Sequence, residues 1–237
     1  MRFKLIFVLE NENISIQYRK SILSFIKKSL EEYDIEKFKQ FYNERDNIIK
    51  PYTFAVFFKD SKFEGENIIV KSRTMDVNLS TSDYETGIIL YNSFNHQRNK
   101  KFSLSANSMT LKNIVLSQEK EITSNEINIK FLSPFVVRKR ENEKDYYYSF
   151  NDKEFTNTLK QNIKNQLKIS EVSEDAVDDF YMEPLEAKKT VVKFYEKQIE
   201  ASIGKFKLKG DKNLLEYLYK AGIGSKHSAG FGMFEII

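Results

Sequence analysis

The chain has no cysteine and no tryptophan, and only three prolines, eight glycines and two histidines among its 237 residues. Without cysteine there is no disulfide and no thiolate metal site, and two histidines are too few for a histidine-rich one. No stretch approaches the roughly 18 consecutive apolar residues of a membrane span. The opening segment Met1–Glu10 has an apolar run of only Leu5–Leu9 with no small-residue cleavage site behind it, so it reads as a β-strand, not a signal peptide. The expectation is a cytoplasmic protein with no membrane partner. Charge of one sign is scarce as well: 38 basic against 34 acidic residues leave +4. That is too little to establish an anionic partner, so such an argument rests on where the basic residues cluster.

What the chain does have is apolar bulk and pattern. Twenty Phe and thirteen Tyr give it the material of a real core. Met1–Glu10 alternates as a strand, and Ser15–Glu32 follows with Ile16, Ile22, Leu23, Ile26 and Leu30 near helical spacing and Ser15 as N-cap. Tyr52–Lys59 and Asn67–Arg73 read as strands joined by a turn at Gly65, with Met75–Ser82 as a possible extension of the sheet. Glu85–Gln97 is helical and Met109–Gln118 a strand, which completes a β-α-β-β-α-β order, the ferredoxin-like arrangement.

The second half is a looser echo of the first. Glu126–Arg138 is a strand, Arg138–Lys144 a charged hairpin and Tyr146–Phe150 a short strand. The amphipathic helix Glu154–Leu167, with Asp152 as its cap, carries Phe155, Leu159, Ile163 and Leu167 on one face. Val191–Glu200 and Ala201–Lys209 form a hairpin, Asn213–Ala221 a helix, and Phe231–Ile237 the final strand. The reading is an α+β protein of two tandem ferredoxin-like (βαββαβ) domains, 1–120 and 126–237.

Four of the eight glycines, Gly222, Gly224, Gly230 and Gly232, fall in the sequence G-I-G-S-K-H-S-A-G-F-G that precedes this last strand. Glycine permits positive φ and close approach to the main chain. With Lys226 and His227 between the pairs, such a loop offers backbone N–H groups and cationic side chains to a phosphate. A plain glycine-rich hairpin is the alternative.

The G-φ-G-x5-G-φ-G spacing (φ apolar), after the helix Asn213–Ala221 and before a strand, resembles the signature of the RAMP superfamily. More narrowly it is similar to the CRISPR-associated endoribonucleases that cut repeat RNA into guide RNAs. The resemblance implies the tandem ferredoxin-like fold and cleavage without metal or cofactor, by 2′-hydroxyl attack, leaving 2′,3′-cyclic phosphate and 5′-hydroxyl ends. It also implies a catalytic histidine at or just after the end of the first helix, attended by a tyrosine and a lysine. Here the corresponding segment Phe38–Lys50, F-K-Q-F-Y-N-E-R-D-N-I-I-K, has no histidine. Tyr42 stands in its place, with Arg45 and Lys50 nearby.

The candidate catalytic residues are therefore Tyr42, Lys50 and His227. A tyrosine of ordinary pKa near 10 is a poor base unless nearby cations depress it. Three readings stay open: slow cleavage by cationic positioning, use of another histidine, or binding without cleavage. A structural subunit of an effector complex is a further alternative. Gly222, Gly224, Lys226, Gly230 and Gly232 are expected on the RNA, joined by Arg138 and Lys139 at a hairpin tip and by Lys205, Lys207 and Lys209 along one strand face. His96 reads either as a cation at a helix C-terminus or as a phosphate contact beside Arg98, Lys100 and Lys101. Among Tyr146, Tyr147 and Tyr148, alternation puts at least one in the core. The expected partner is CRISPR repeat RNA, with effector proteins and a monomeric or dimeric state left open.

Overall fold

The computed structural model describes residues 1–42, 48–104 and 106–237. In chain order the elements are β1 (Arg2–Leu9), β2 (Asn13–Ser15), α1 (Tyr18–Tyr33), α2 (Ile35–Tyr42), β3 (Tyr52–Phe58), β4 (Ser61–Glu64), β5 (Asn67–Val70), β6 (Thr74–Thr81), α3 (Tyr84–His96), β7 (Lys101–Leu104) and β8 (Asn107–Leu116). The second half continues with β9 (Glu126–Phe131), β10 (Val137–Glu141), β11 (Lys144–Tyr148), α4 (Phe155–Leu167), β12 (Tyr181–Phe194), β13 (Lys197–Lys209), α5 (Lys212–Ala221) and β14 (Phe234–Ile236).

The main sheet of the first half runs β3-β6-β1-β8-β7 and that of the second β12-β13-β9-β14, all antiparallel. Taking only the ferredoxin-like strands of each half, both sheets have the spatial order second-third-first-fourth. A helix follows the first strand and another follows the third in each half. The fold is thus α+β, with two tandem ferredoxin-like units.

Each unit buries its own apolar face. Phe3, Leu5 and Phe7 of β1 alternate inward against Ile22, Phe25 and Ile26 of α1 and Leu90 and Phe94 of α3. In the second unit Ile129 and Phe131 of β9 meet Leu159 and Ile163 of α4 and Leu214, Leu215 and Leu218 of α5. A smaller cluster of Val136, Phe194, Ile199, Ala201 and Phe231 touches Leu23 of α1 and so lies at the seam between the units.

Several local expectations are corrected. Ser15 ends β2 and does not cap α1, whose N-cap is Gln17; the Ser15 hydroxyl accepts only the Gln17 N–H. The hairpin partner of β3 is β6, whose Met75, Val77 and Leu79 are fully buried, while β5 pairs with β4 and β2 in a separate small sheet. Glu126–Arg138 is two strands, because Pro134 has no N–H for a ladder and the chain turns there. Asp152 accepts from the Ser149 N–H and hydroxyl and not from the first turn of α4. The long hairpin turns at Tyr195, with φ 54°, inside what reads as one strand over Val191–Glu200. The final strand starts at Phe234, since 222–233 is spent on the glycine loop.

Candidate functional site

The glycine loop is a buried seam, not an open cradle. The amides of Gly222, Gly224, Gly230 and Gly232 donate to Leu218 O, Gln166 Oε1, His227 O and Pro134 O respectively. These four amides are therefore occupied by the loop's own packing. Glycine is required for space as well as for positive φ. A Cβ on Gly232, at φ +72°, would stand 2.0 Å from Ile223 O, and one on Gly230, at φ +85°, 2.5 Å from the Phe54 ring.

Side chains of the first unit hold the other side of this segment. Arg2 Nη2 donates to Phe234 O at 2.6 Å, Arg19 Nε to Gly230 O at 3.2 Å and Thr53 Oγ1 to Phe231 O at 2.9 Å. The Arg19 guanidinium lies over the Tyr18 and Phe231 rings, and that of Arg2 over Tyr219. His227 belongs to the same stitching. It is 6% exposed and its Nδ1 meets Tyr52 O at 3.0 Å. Burial lowers its pKa to about 4, an effect that outweighs the carbonyl contact, so the ring is neutral and committed at neutral pH. In this structure His227 serves to join the loop to β3.

Beside the seam lies a cationic cluster. Lys27 of α1 and Lys50, just ahead of β3, place their ammonium groups 4.9 and 4.8 Å from the Tyr42 ring centroid. Lys50 Nζ also donates to Ile48 O at 3.3 Å. Burial lowers its pKa to about 8, with the charge of Lys27 adding to the effect. Tyr42 and Tyr52 share a hydroxyl–hydroxyl hydrogen bond of 2.7 Å. Desolvation pushes Tyr42 up to about 12, against the lowering effect of its hydrogen bond with Tyr52, which favours the protonated phenol at neutral pH. Burial pushes Tyr52 well up too, and the neighbouring Tyr42 adds to the effect. Arg45 lies outside the described residues.

Next to the loop, and reaching the cluster at Ile49, a cleft of about 700 Å3 opens between β10, α4 and the glycine loop. Arg138, Lys139, Arg140, Lys226 and one edge of His227 line it. Lys226 holds the left-handed conformation at φ 61°, with its ammonium 5.8 Å from the Phe194 ring centroid. A lysine in that region costs on the order of 1 kcal/mol, a strain that recurs at ligand sites. Burial lowers its pKa, and Arg138 lowers it further. Arg138 and Lys139 lie within β10 and not at the hairpin tip, which is Asn142–Glu143. Arg138 pairs with Asp145 at 3.3 Å and Lys139 with Glu141 at 2.9 Å.

The structure brings Tyr42, Lys50, His227 and Lys226 to one region, with Arg138 and Lys139 on the adjoining cleft. It does not bring in the lysine row of β13. Lys205 pairs with Glu186 at 2.8 Å and Lys207 with Glu126 at 3.0 Å, and Lys209 lines a separate concavity beside Asp179 and Asp211. The acidic partners offset much of the charge of that face. His96 is exposed in the last turn of α3, 6.5 Å from the Tyr33 ring. Tyr148 packs on the second core, Tyr147 on the seam cluster, and Tyr146 is exposed. Lys27 was missed because it reads as a residue of an exposed helix face. Its separation of fifteen residues from Tyr42 gives no periodic signal, and only the turn between α1 and α2 brings them together.

A family model described as CRISPR associated protein Cas6, C-terminal, matches residues 117–236. The chain belongs to the Cas6 family. The match takes in the second unit, the cleft and the whole glycine loop. Among solved structures, one described as a Cas6-related gene product from Pyrococcus furiosus is 22% identical, with a TM-score of 0.87, covering 100% of this chain and 98% of the other. One described as a RAMP protein binding different RNA substrates is 21% identical, with a TM-score of 0.88 and coverage of 100% and 99%. A third, a CRISPR associated protein Cas6, is 19% identical, with a TM-score of 0.76 and the same coverage. At these identities the structures establish the shared Cas6 fold. No curated protein sequence matches. Among the described residues no helix is long and apolar enough to cross a membrane.

Proposed function

We propose that this Cas6-family chain, built of domains 1–120 and 126–237, binds CRISPR repeat RNA and cleaves it without a metal ion. The observation that carries the reading is the Lys27–Tyr42–Lys50 cluster adjoining a cleft rimmed by Arg138, Lys139 and Lys226. The backbone lies along the rim, and the scissile phosphate sits by Lys27 and Lys50. The 2′-hydroxyl loses its proton to the neutral fraction of Lys50, whose pKa of about 8 suits it to proton transfer. The 2′-oxygen attacks phosphorus and the 5′-oxygen departs. Lys27 faces the charge on the phosphorane and supplies the leaving oxygen with a proton. The products are a 2′,3′-cyclic phosphate and a 5′-hydroxyl.

A second reading, retention of the repeat without cutting, is favoured by the locked neutral His227 and by the high pKa of Tyr42. A cleavage assay on the host's labelled repeat, with EDTA present and a 2′-deoxy control at the cut site, separates the two. Cutting that survives EDTA and vanishes in the 2′-deoxy RNA is the expected result. Tight binding with no cut selects retention, and no binding refutes both.

A further inference from the structure

The two walls of the cleft differ in kind. One carries Arg138, Lys139 and Lys226. The other is α4, which presents Asn157, Gln161 and Asn165, exposed and spaced four residues apart in a single row. Apart from Glu154 just ahead of its first turn, this wall has no charge. The helix lysines point elsewhere: Lys160 donates to Asp178 O at 2.6 Å and Lys164 pairs with the Asp178 carboxylate at 2.7 Å. Asparagine is a poor helix former, because its amide competes for backbone hydrogen bonds, and exposed helix surfaces are ordinarily Glu, Lys, Arg or Ala. Gln161 is itself a good helix former, but Asn157 and Asn165 on either side of it break this local preference without a packing gain, as residues of functional surfaces do.

The row is also held rigid. One residue further along each turn, buried Asn162 accepts from the Arg138 N–H at 3.0 Å and donates to Arg138 O at 2.8 Å. Buried Gln166 donates to Gly222 O and accepts from the Gly224 N–H, both at 3.1 Å. The amide row therefore keeps a fixed offset from the cationic wall and from the glycine loop.

A neutral amide donates and accepts side by side, which matches the edge of a nucleobase and adds little to the attraction of a phosphate. We propose that Asn157, Gln161 and Asn165 read the unpaired bases of a single-stranded RNA segment whose phosphates lie on the Arg138–Lys226 wall. The inference rests on the RNA-binding reading above. It specifies single strands because duplex RNA hides its base edges in a deep, narrow groove.

The test is the triple variant N157A/Q161A/N165A, whose alanines favour the helix and leave the buried amides in place. Fluorescence anisotropy compares the host repeat RNA with a scrambled RNA of the same composition over a salt series. The wild type should prefer the repeat, and the variant should lose about tenfold or more of that preference, with scrambled-RNA affinity and salt slope unchanged. An undiminished preference, an equal loss on both RNAs, or a wild type that binds both RNAs alike would each overturn base reading while leaving RNA binding intact. A wild type that binds neither RNA would overturn the RNA reading itself.

Discussion

The fold gathers Lys50, Tyr42 and His227 into one region, although His227 is far from the other two along the chain, and their surroundings give them three different states. Lys50 loses its proton near pH 8, so its contribution to holding a phosphate should fade as pH rises from 7 to 9, where an ordinary lysine stays charged. RNA affinity of the wild type should decline over that interval, and Lys50→Arg, charged throughout, should flatten the decline in an anisotropy titration. Tyr42→Phe should leave cleavage nearly unchanged while stranding the buried Tyr52 hydroxyl, at a cost of about 1–3 kcal/mol in urea unfolding. For His227 the folded pKa is depressed, so between about pH 6.5 and about 4 the unfolded chain binds a proton that the folded chain refuses. Stability should therefore fall with pH through that window, by at most about 1.4 kcal/mol per unit, and His227→Asn should remove the slope. None of these states was legible in the residue names. The sequence shows a tyrosine and a lysine in one segment and a histidine in the distant glycine loop, but burial sets what each can do with a proton.

At the scale of elements, legibility follows the strength of the local rule. The apolar rows of α4 and α5 and the inward alternation of β1 are readable because one face of each meets a core. Where a turn rests on a residue with no special turn chemistry, as at Tyr195 in the long hairpin, the sequence runs on as strand and the boundary is missed. The separation of β5 from the main sheet is missed for a related reason: Ile68 and Val70 are as apolar as Val77 and Leu79, and only pairing decides which strand joins which sheet. The glycine loop is found by its spacing, but its packing role is not, since spacing does not disclose where the amides go. Gly232→Ala tests that role. The new methyl meets a carbonyl fixed by the loop's own hydrogen bonds, and the variant should lose at least about 2 kcal/mol in chemical denaturation.

For the molecule as a whole, a net charge of +4 conceals an uneven distribution. On β13 the lysines are answered by Glu186 and Glu126, whereas the cleft gathers Arg138, which pairs with Asp145, together with Arg140 and Lys226 around one opening. Arg138→Ala and Lys226→Ala should each reduce the slope of log affinity against log salt by about 0.7, the loss of one counterion-releasing contact on single-stranded RNA. Lys205→Ala and Lys207→Ala should leave it unchanged. The lysine row drew attention in the sequence because alternation puts its members on one face. Its acidic partners come from β12 and from the start of β9, too far along the chain to be foreseen.

The hydrogen bonds from Arg2, Thr53 and Arg19 to the carbonyls of Phe234, Phe231 and Gly230 span 232, 178 and 211 residues of chain. On the ribosome, those side chains wait for about two hundred further residues, or slightly fewer for Thr53, before their acceptors are made. Contacts of such sequence separation carry the largest loop-closure cost and form late. The first unit is therefore completed by a loop made after it, and a nascent chain halted before Gly230 carries two arginines whose acceptors do not yet exist.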